Sequence, residues 1–239
     1  MKIHFNIEYR TRWGEDLRVQ LWMVDKRGQK TAVKELPLST QDGKMWDGEM
    51  MLEEQQKRMH GIEYKYAMYR DGKLVWTEWE VAPHKVKFDG VTNSYVLSDK
   101  WRPIPEDQPL FSSAYTECVG AVPDGCDAID TLFSSTLQLR VVEPRLKKGE
   151  WLAVCGNTPQ LGEWQRAKRM ALINLQEWAV NIDAELLFGE VEYKYVVVDA
   201  RNNILRWEDG ENRKLRCPKL EAKQMWVKTD ERLALSGDS

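Results

Sequence analysis

Apolar and polar residues alternate along most of the chain with a period of two. Leu137, Leu139 and Val141 face one way, while Gln138, Arg140 and Val142 face the other. The same phase appears at Trp178, Val180 and Ile182 and at Tyr193, Tyr195 and Val197. Turn signals follow at Asp71-Gly72, Asn202-Asn203 and Asp209-Gly210. Convincing helical periodicity is scarce. Short strands punctuated by such turns predict an all-β chain of antiparallel, immunoglobulin-like β-sandwiches with roughly seven strands per module. The first residues, Met1 to Glu8, read as a strand rather than as the charged and apolar regions of an export signal.

The pattern repeats. Glu63-Tyr64-Lys65-Tyr66 returns as Glu192-Tyr193-Lys194-Tyr195, and each copy is followed by a turn and a strand bearing a tryptophan, Trp76 and Trp207. Upstream, Gly14-Glu15 opens the apolar strand of Leu17, Val19 and Leu21 much as Gly149-Glu150 opens that of Leu152 and Val154. Trp46 stands between these landmarks as Trp178 does. Landmarks recurring in one order at an offset of about 130 residues predict two related modules, residues 1–100 and 134–230. Residues 101–133 between them begin with Trp101-Arg-Pro-Ile-Pro-Glu-Asp-Gln-Pro-Leu110, whose prolines break helix and sheet alike. This reads as a Pro-containing linker, partly packed on a module through Phe111, Tyr115 and Val119, and residues 231–239 read as a tail.

Composition narrows the function. Lys and Arg number 35 against 38 Asp and Glu, a net charge of −3, so there is no cationic excess for nucleic-acid phosphates or an anionic membrane surface. No apolar run approaches the roughly 18 residues a membrane span needs. A cytoplasmic protein without nucleic-acid or membrane partners is expected. Cys118, Cys126, Cys155 and Cys217 lack the spacing and density of a disulfide scaffold and read as reduced thiols. His4, His60 and His84 do not place two imidazoles on one helix face, so neither a metal nor another cofactor is expected. There is no nucleophile elbow, no phosphate loop and no carboxylate pair whose context separates an acid from a base, so no catalytic residue is assigned. The unusual feature is eleven tryptophans. They imply a use for flat aromatic surface.

One segment shows what that use is. Gly156-Asn-Thr-Pro-Gln-Leu161-Gly162-Glu163-Trp164 follows the strand Trp151–Cys155, and a later hairpin carries Glu192 to Tyr195 and Trp207-Glu-Asp-Gly-Glu-Asn212-Arg213. A glucose ring has an apolar C–H face and polar edges, so its binder needs flat rings for the face and donors or acceptors at the rim. Trp164 and Trp207, set at an angle, would match the curvature of an α-glucan. Lys194 lies on the strand face opposite Tyr193 and Tyr195 and can reach sugar hydroxyls, while the Asn212 amide both donates and accepts. A tryptophan in a sandwich also serves as core, and Trp164 alone is open to either use. Taken together, these residues resemble the family 20 starch-binding module, a β-sandwich attached to many amylases and related enzymes that holds α-1,4-glucan. The resemblance implies that Trp164, Lys194, Trp207 and Asn212 form the main sugar site.

The resemblance also implies a second site, built from an aromatic after the first strand and a tryptophan on a middle strand. In the second module the middle-strand residue is Trp178, but Lys148 replaces the aromatic before Gly149. In the first module both are present, as Trp13 and Trp46. The main site of that module is incomplete, because Val24 to Val33 fill the place of the Leu-Gly-x-Trp turn without an aromatic. Lys65 and Trp76 remain, with Trp79 nearby. His84, close to where the motif asparagine would fall, is expected to be a surface histidine, and Trp151 and Trp226 are expected in core or edge packing.

Two such modules followed by a tail resemble the N-terminal part of disproportionating 4-α-glucanotransferases of glycoside hydrolase family 77. That implies non-catalytic binding of starch, glycogen or maltooligosaccharides, targeting an attached C-terminal catalytic domain that this chain lacks. A different class of function is a regulatory, glycogen-sensing or protein-docking pair, with the first module as the docking surface. A pair of immunoglobulin-like spacers predicts no sugar binding at all.

Overall fold

The computed structural model describes residues 1–112, 132–174 and 176–235. Tyr115, Val119, Cys118 and Cys126 lie outside the described residues. Two compact units are distinguished, Met1–Glu106 with Lys223–Val227 and Asp107–Ala222 with Lys228–Ser239.

In the first unit, one sheet has the order β3 (Lys34–Pro37), β2 (Glu15–Val24), β6 (Gly61–Arg70) and β7 (Lys73–Thr77), with β8 (His84–Lys87) also paired to β6. The facing sheet contains β9 (Ser94–Lys100), β1 (Lys2–Glu8), β5 (Met45–Met51) and β4 (Ser39–Thr40). Alternation dictates the core. Leu17, Val19, Leu21 and Met23 of β2 and Ile3, Phe5 and Ile7 of β1 turn inward and are buried. Asp71 and Gly72 adopt left-handed φ values of 50° and 75°, which suit the tight β6–β7 hairpin. After β9, Trp101 stacks on Tyr9 and the Trp79 amide donates to the Arg102 carbonyl, so residues beyond Lys100 still pack on this unit. Trp226 is half-buried here, its indole donating to Ser98 Oγ at 2.9 Å.

The second unit repeats this plan. One sheet has the order β12 (Lys168–Arg169), β11 (Trp151–Gly156), β15 (Val191–Val198) and β16 (Ile204–Trp207), with β17 (Arg213–Leu215) also on β15. The other is built on β13 (Ala171–Asn174), β14 (Glu177–Asp183) and β10 (Ser135–Val142). The last strand, β18 (Gln224–Thr229), crosses the division between the units. The fold is all-β, as the alternation implied. Among the described residues, nine strands stand in each half of the chain where about seven were expected. Strands as short as the two-residue β4 and β12 leave no alternation to read. Gln138 and Arg140 of β10, expected to face outward, are buried. Gln138 donates to Asn181 Oδ1 at 2.8 Å and accepts from Arg140 Nε at 2.6 Å.

A buried polar lock recurs in both units. The Tyr64 and Tyr66 hydroxyls donate to Asp99 Oδ2 at 2.7 and 2.8 Å, and those of Tyr193 and Tyr195 donate to Asp230 Oδ2 at 2.6 and 2.8 Å. The Tyr66 amide donates to Glu78 and the Tyr195 amide to Glu208. Glu208 then holds Arg213 through two contacts to Nε, whereas Glu78 meets His84 Nε2 at 3.1 Å. His84 is therefore not a surface residue. It is 2% exposed, lies opposite Tyr64 across the β6–β8 pair and stacks on that ring.

Burial, and then the neighbouring aspartate, raises the hydroxyls of Tyr66, Tyr193 and Tyr195 well above the ordinary tyrosine range. The folded chain holds these protons more tightly than the unfolded chain does. Their contribution to stability is thus complete below about pH 10 and is lost as pH rises further. In an alkaline titration, tyrosinate absorbance from these residues is expected to appear together with loss of the folded tryptophan emission. Ionisation of all eight tyrosines near pH 10 with the fold intact would contradict this.

Candidate sugar-binding site

The site is built on the outer face of the β11–β15–β16 sheet. β11 ends at Gly156, where a Cβ would lie 2.5 Å from the Glu192 carbonyl oxygen, so only glycine allows this approach to β15. The chain then turns through Pro159–Trp164, with Gly162, Glu163 and Trp164 all left-handed at φ 76°, 49° and 63°. Two consecutive non-glycine residues in that region are costly, and the surroundings hold them there. Gln160 acts as a clamp, accepting from the Asp183 amide at 2.8 Å and donating to its carbonyl at 3.0 Å. The Gln165 and Arg166 amides both donate to the Gly162 carbonyl. The turn thereby lays Trp164 against Ala153, Cys155, Ala167, Val196 and Val198.

Trp207 reaches the same face from β16, opposite Val196, and is 41% exposed. The two indoles stand side by side, with centroids 6.4 Å apart and planes inclined at 37°. Lys194, two residues from Val196 and so on the same face, donates to the carbonyls of Gly210 at 2.6 Å and Glu208 at 3.3 Å. It straps the loop between β16 and β17 and retains one of its three ammonium protons for a ligand. Asn212 donates to Glu192 Oε2 at 3.0 Å, and Lys214 approaches the other oxygen at 3.1 Å. The Asn212 bond first, then Lys214, lower the Glu192 carboxyl below its usual range and keep it an ionised acceptor. Tyr193 and Tyr195 point to the core. An inclined aromatic pair edged by an ammonium, an amide and a carboxylate is suited to an apolar ring face rimmed with hydroxyls.

The first unit arranges its candidates differently. Trp13 is fully exposed in the β1–β2 loop, but Trp46 is 5% exposed on β5, opposite Ile7, with an unpartnered indole N–H. Trp178 is buried in the same way. The middle-strand tryptophans are core residues, and Trp13 and Trp46 do not form a shared exposed surface. Trp76 is exposed but out of phase. Ala67 pairs with Thr77 as Val196 pairs with Trp207, so Thr77 takes the place of Trp207 and Trp76 turns to the other side of its sheet. Lys65 lies on the expected face and pairs with Glu80 rather than with loop carbonyls. Sequence reasoning passed over Trp22. It shares the face of Lys65, and its signal was its phase with Arg18 and Gln20, opposite to that of Leu17, Val19 and Leu21.

Parts of the chain are similar to known proteins. Residues 135–226 match the starch binding domain family. The match covers the sheets that carry Trp164, Lys194, Trp207 and Asn212. A stretch of 99 residues is 30% identical to the 4-alpha-glucanotransferase DPE2 of Oryza sativa subsp. japonica, and the alignment spans 36% of this chain and 10% of that protein. The family 20 module of a maltotetraose-forming amylase from Pseudomonas saccharophila STB07 aligns over 38% of this chain and 98% of its own, with 19% identity and a TM-score of 0.32. A family 15 glucoamylase from Hypocrea jecorina aligns over 57% of this chain and 20% of its own, with 20% identity and a TM-score of 0.36. Among the described residues, no helix is long and apolar enough to cross a membrane, and no three His, Cys, Asp or Glu side chains gather as a metal site.

Proposed function

We propose that this chain is a non-catalytic binder of α-1,4-glucan whose principal site is the Trp164–Trp207 pair with Lys194 and Asn212. The observation that carries the proposal is the two inclined indoles on one sheet face, edged by groups that can meet hydroxyls. The match of the second unit to the starch binding domain supports the same ligand class. In this reading the two units act in tandem on one polysaccharide, starch or glycogen, and hold an attached 4-alpha-glucanotransferase domain at its substrate. The rice relative supports that pairing. Weak sites on one chain raise retention on a polymer through effective concentration without new contacts. The exposed Trp13 ring adds a further contact on the first unit, whereas Trp46 would have to leave the core to do so.

Lys194→Met preserves the length of the side chain but removes both the strap on the Glu208 and Gly210 carbonyls and the free donor. Affinity for maltoheptaose is expected to fall about tenfold, or roughly 1.4 kcal/mol, with the melting temperature little changed. Titration indistinguishable from the unsubstituted chain would remove Lys194 from the site.

A further inference from the structure

We propose that the first unit has its own glucosyl platform, centred on Trp22, in which a ring fixed on a strand replaces the turn-borne ring of the second unit. The proposal rests on the α-glucan reading above and assigns a further site to it. The paired registers locate the position. Gln20 faces Lys65 and Trp22 faces Glu63 in β2–β6, as Cys155 faces Lys194 in β11–β15 and the Asn157 side chain accepts from the Glu192 amide just beyond. Trp22 therefore stands where the second unit has Asn157, beside the lysine common to both.

The ring is half-buried and flanked by cations. Lys30 and Lys65 place their ammonium groups 5.7 and 5.9 Å from the indole centroid. Both lysines are also ion-paired, Lys30 with Glu63 at 2.5 Å and Lys65 with Glu80. Glu63 also meets Lys85 at 3.3 Å. Burial works against the charge on Glu63, but Lys30 and Lys85 outweigh it and hold the carboxyl below its usual range, an ionised acceptor. One half-buried indole with two ammonium donors and a carboxylate acceptor offers an apolar face and a polar rim, as the indole pair, ammonium, amide and carboxylate do in the second unit. A glucosyl ring stacked on Trp22 would direct its hydroxyls to Lys30, Lys65 and Glu63.

The test uses the full chain carrying Trp164→Ala and Trp207→Ala, titrated with maltoheptaose and followed by tryptophan fluorescence. Weak saturable binding is expected to remain. Adding Trp22→Ala should reduce it at least about tenfold, and Trp22→Phe should hold it within about threefold. Lys65→Met, which spares the indole, should also weaken it and serves as the second probe if Trp22→Ala fails to fold. Complete loss of binding in the Trp164→Ala/Trp207→Ala chain, while the unsubstituted chain still binds, overturns the Trp22 platform and leaves the main site intact. Residual binding indifferent to Trp22→Ala and Lys65→Met overturns it as well. Absence of binding by the unsubstituted chain overturns both proposals.

Discussion

Trp207→Ala is expected to weaken maltoheptaose binding about 30-fold, close to 2 kcal/mol, while leaving the melting temperature within a few degrees. Trp207 sits on the terminal strand of its sheet with much of its ring in solvent, so truncation removes ligand contact rather than core. Trp164→Ala should reduce affinity by a similar factor but also lower stability by about 2 kcal/mol, because its ring packs on Ala153, Cys155, Ala167, Val196 and Val198. The two losses should be less than additive, since one sugar face spans both rings 6.4 Å apart. Calorimetric titration of the single and double variants, each with a melting curve, separates the effects. Unchanged affinity in Trp207→Ala would contradict the assignment.

The largest effect on stability is expected at the buried lock. Asp230→Ala leaves the Tyr193 and Tyr195 hydroxyls without their acceptor and Lys228 without its ion partner, and should cost about 3–5 kcal/mol in urea unfolding. Asp99→Ala should act similarly through Tyr64, Tyr66 and His84. Asp230→Asn should cost less, since its amide oxygen still accepts. Tyr193→Phe with Tyr195→Phe in the Asp230→Ala chain should recover part of the loss by removing the stranded hydroxyls. A cost under about 1 kcal/mol for Asp230→Ala would show that water satisfies this cluster.

The strands were legible because half-buried sheets impose a period of two, and both copies of Glu-Tyr-Lys-Tyr carry it in the same phase. What the chain pattern did not disclose was set by register across strands. Matching tryptophan to tryptophan aligned Trp76 with Trp207, yet the β6–β7 register, with its shift between Met68 and Tyr69, puts Thr77 there. His84 read as a surface residue because its carboxylate partner Glu78 and the Tyr64 ring come from other elements. Asp99 and Asp230 gave no local sign that each would collect two tyrosine hydroxyls from more than thirty residues away. Trp46 likewise took its place from the fold, on β5 between Met45 and Asp47, which are both exposed.

Binding of α-glucan by the second unit through its paired indoles is tested by calorimetric titration of the unsubstituted chain with β-cyclodextrin, a closed and curved α-1,4-glucan. A saturable heat is expected, competed away by soluble starch and strongly diminished by Trp164→Ala/Trp207→Ala. No heat, together with no retardation of the chain on starch-containing gels, would contradict it.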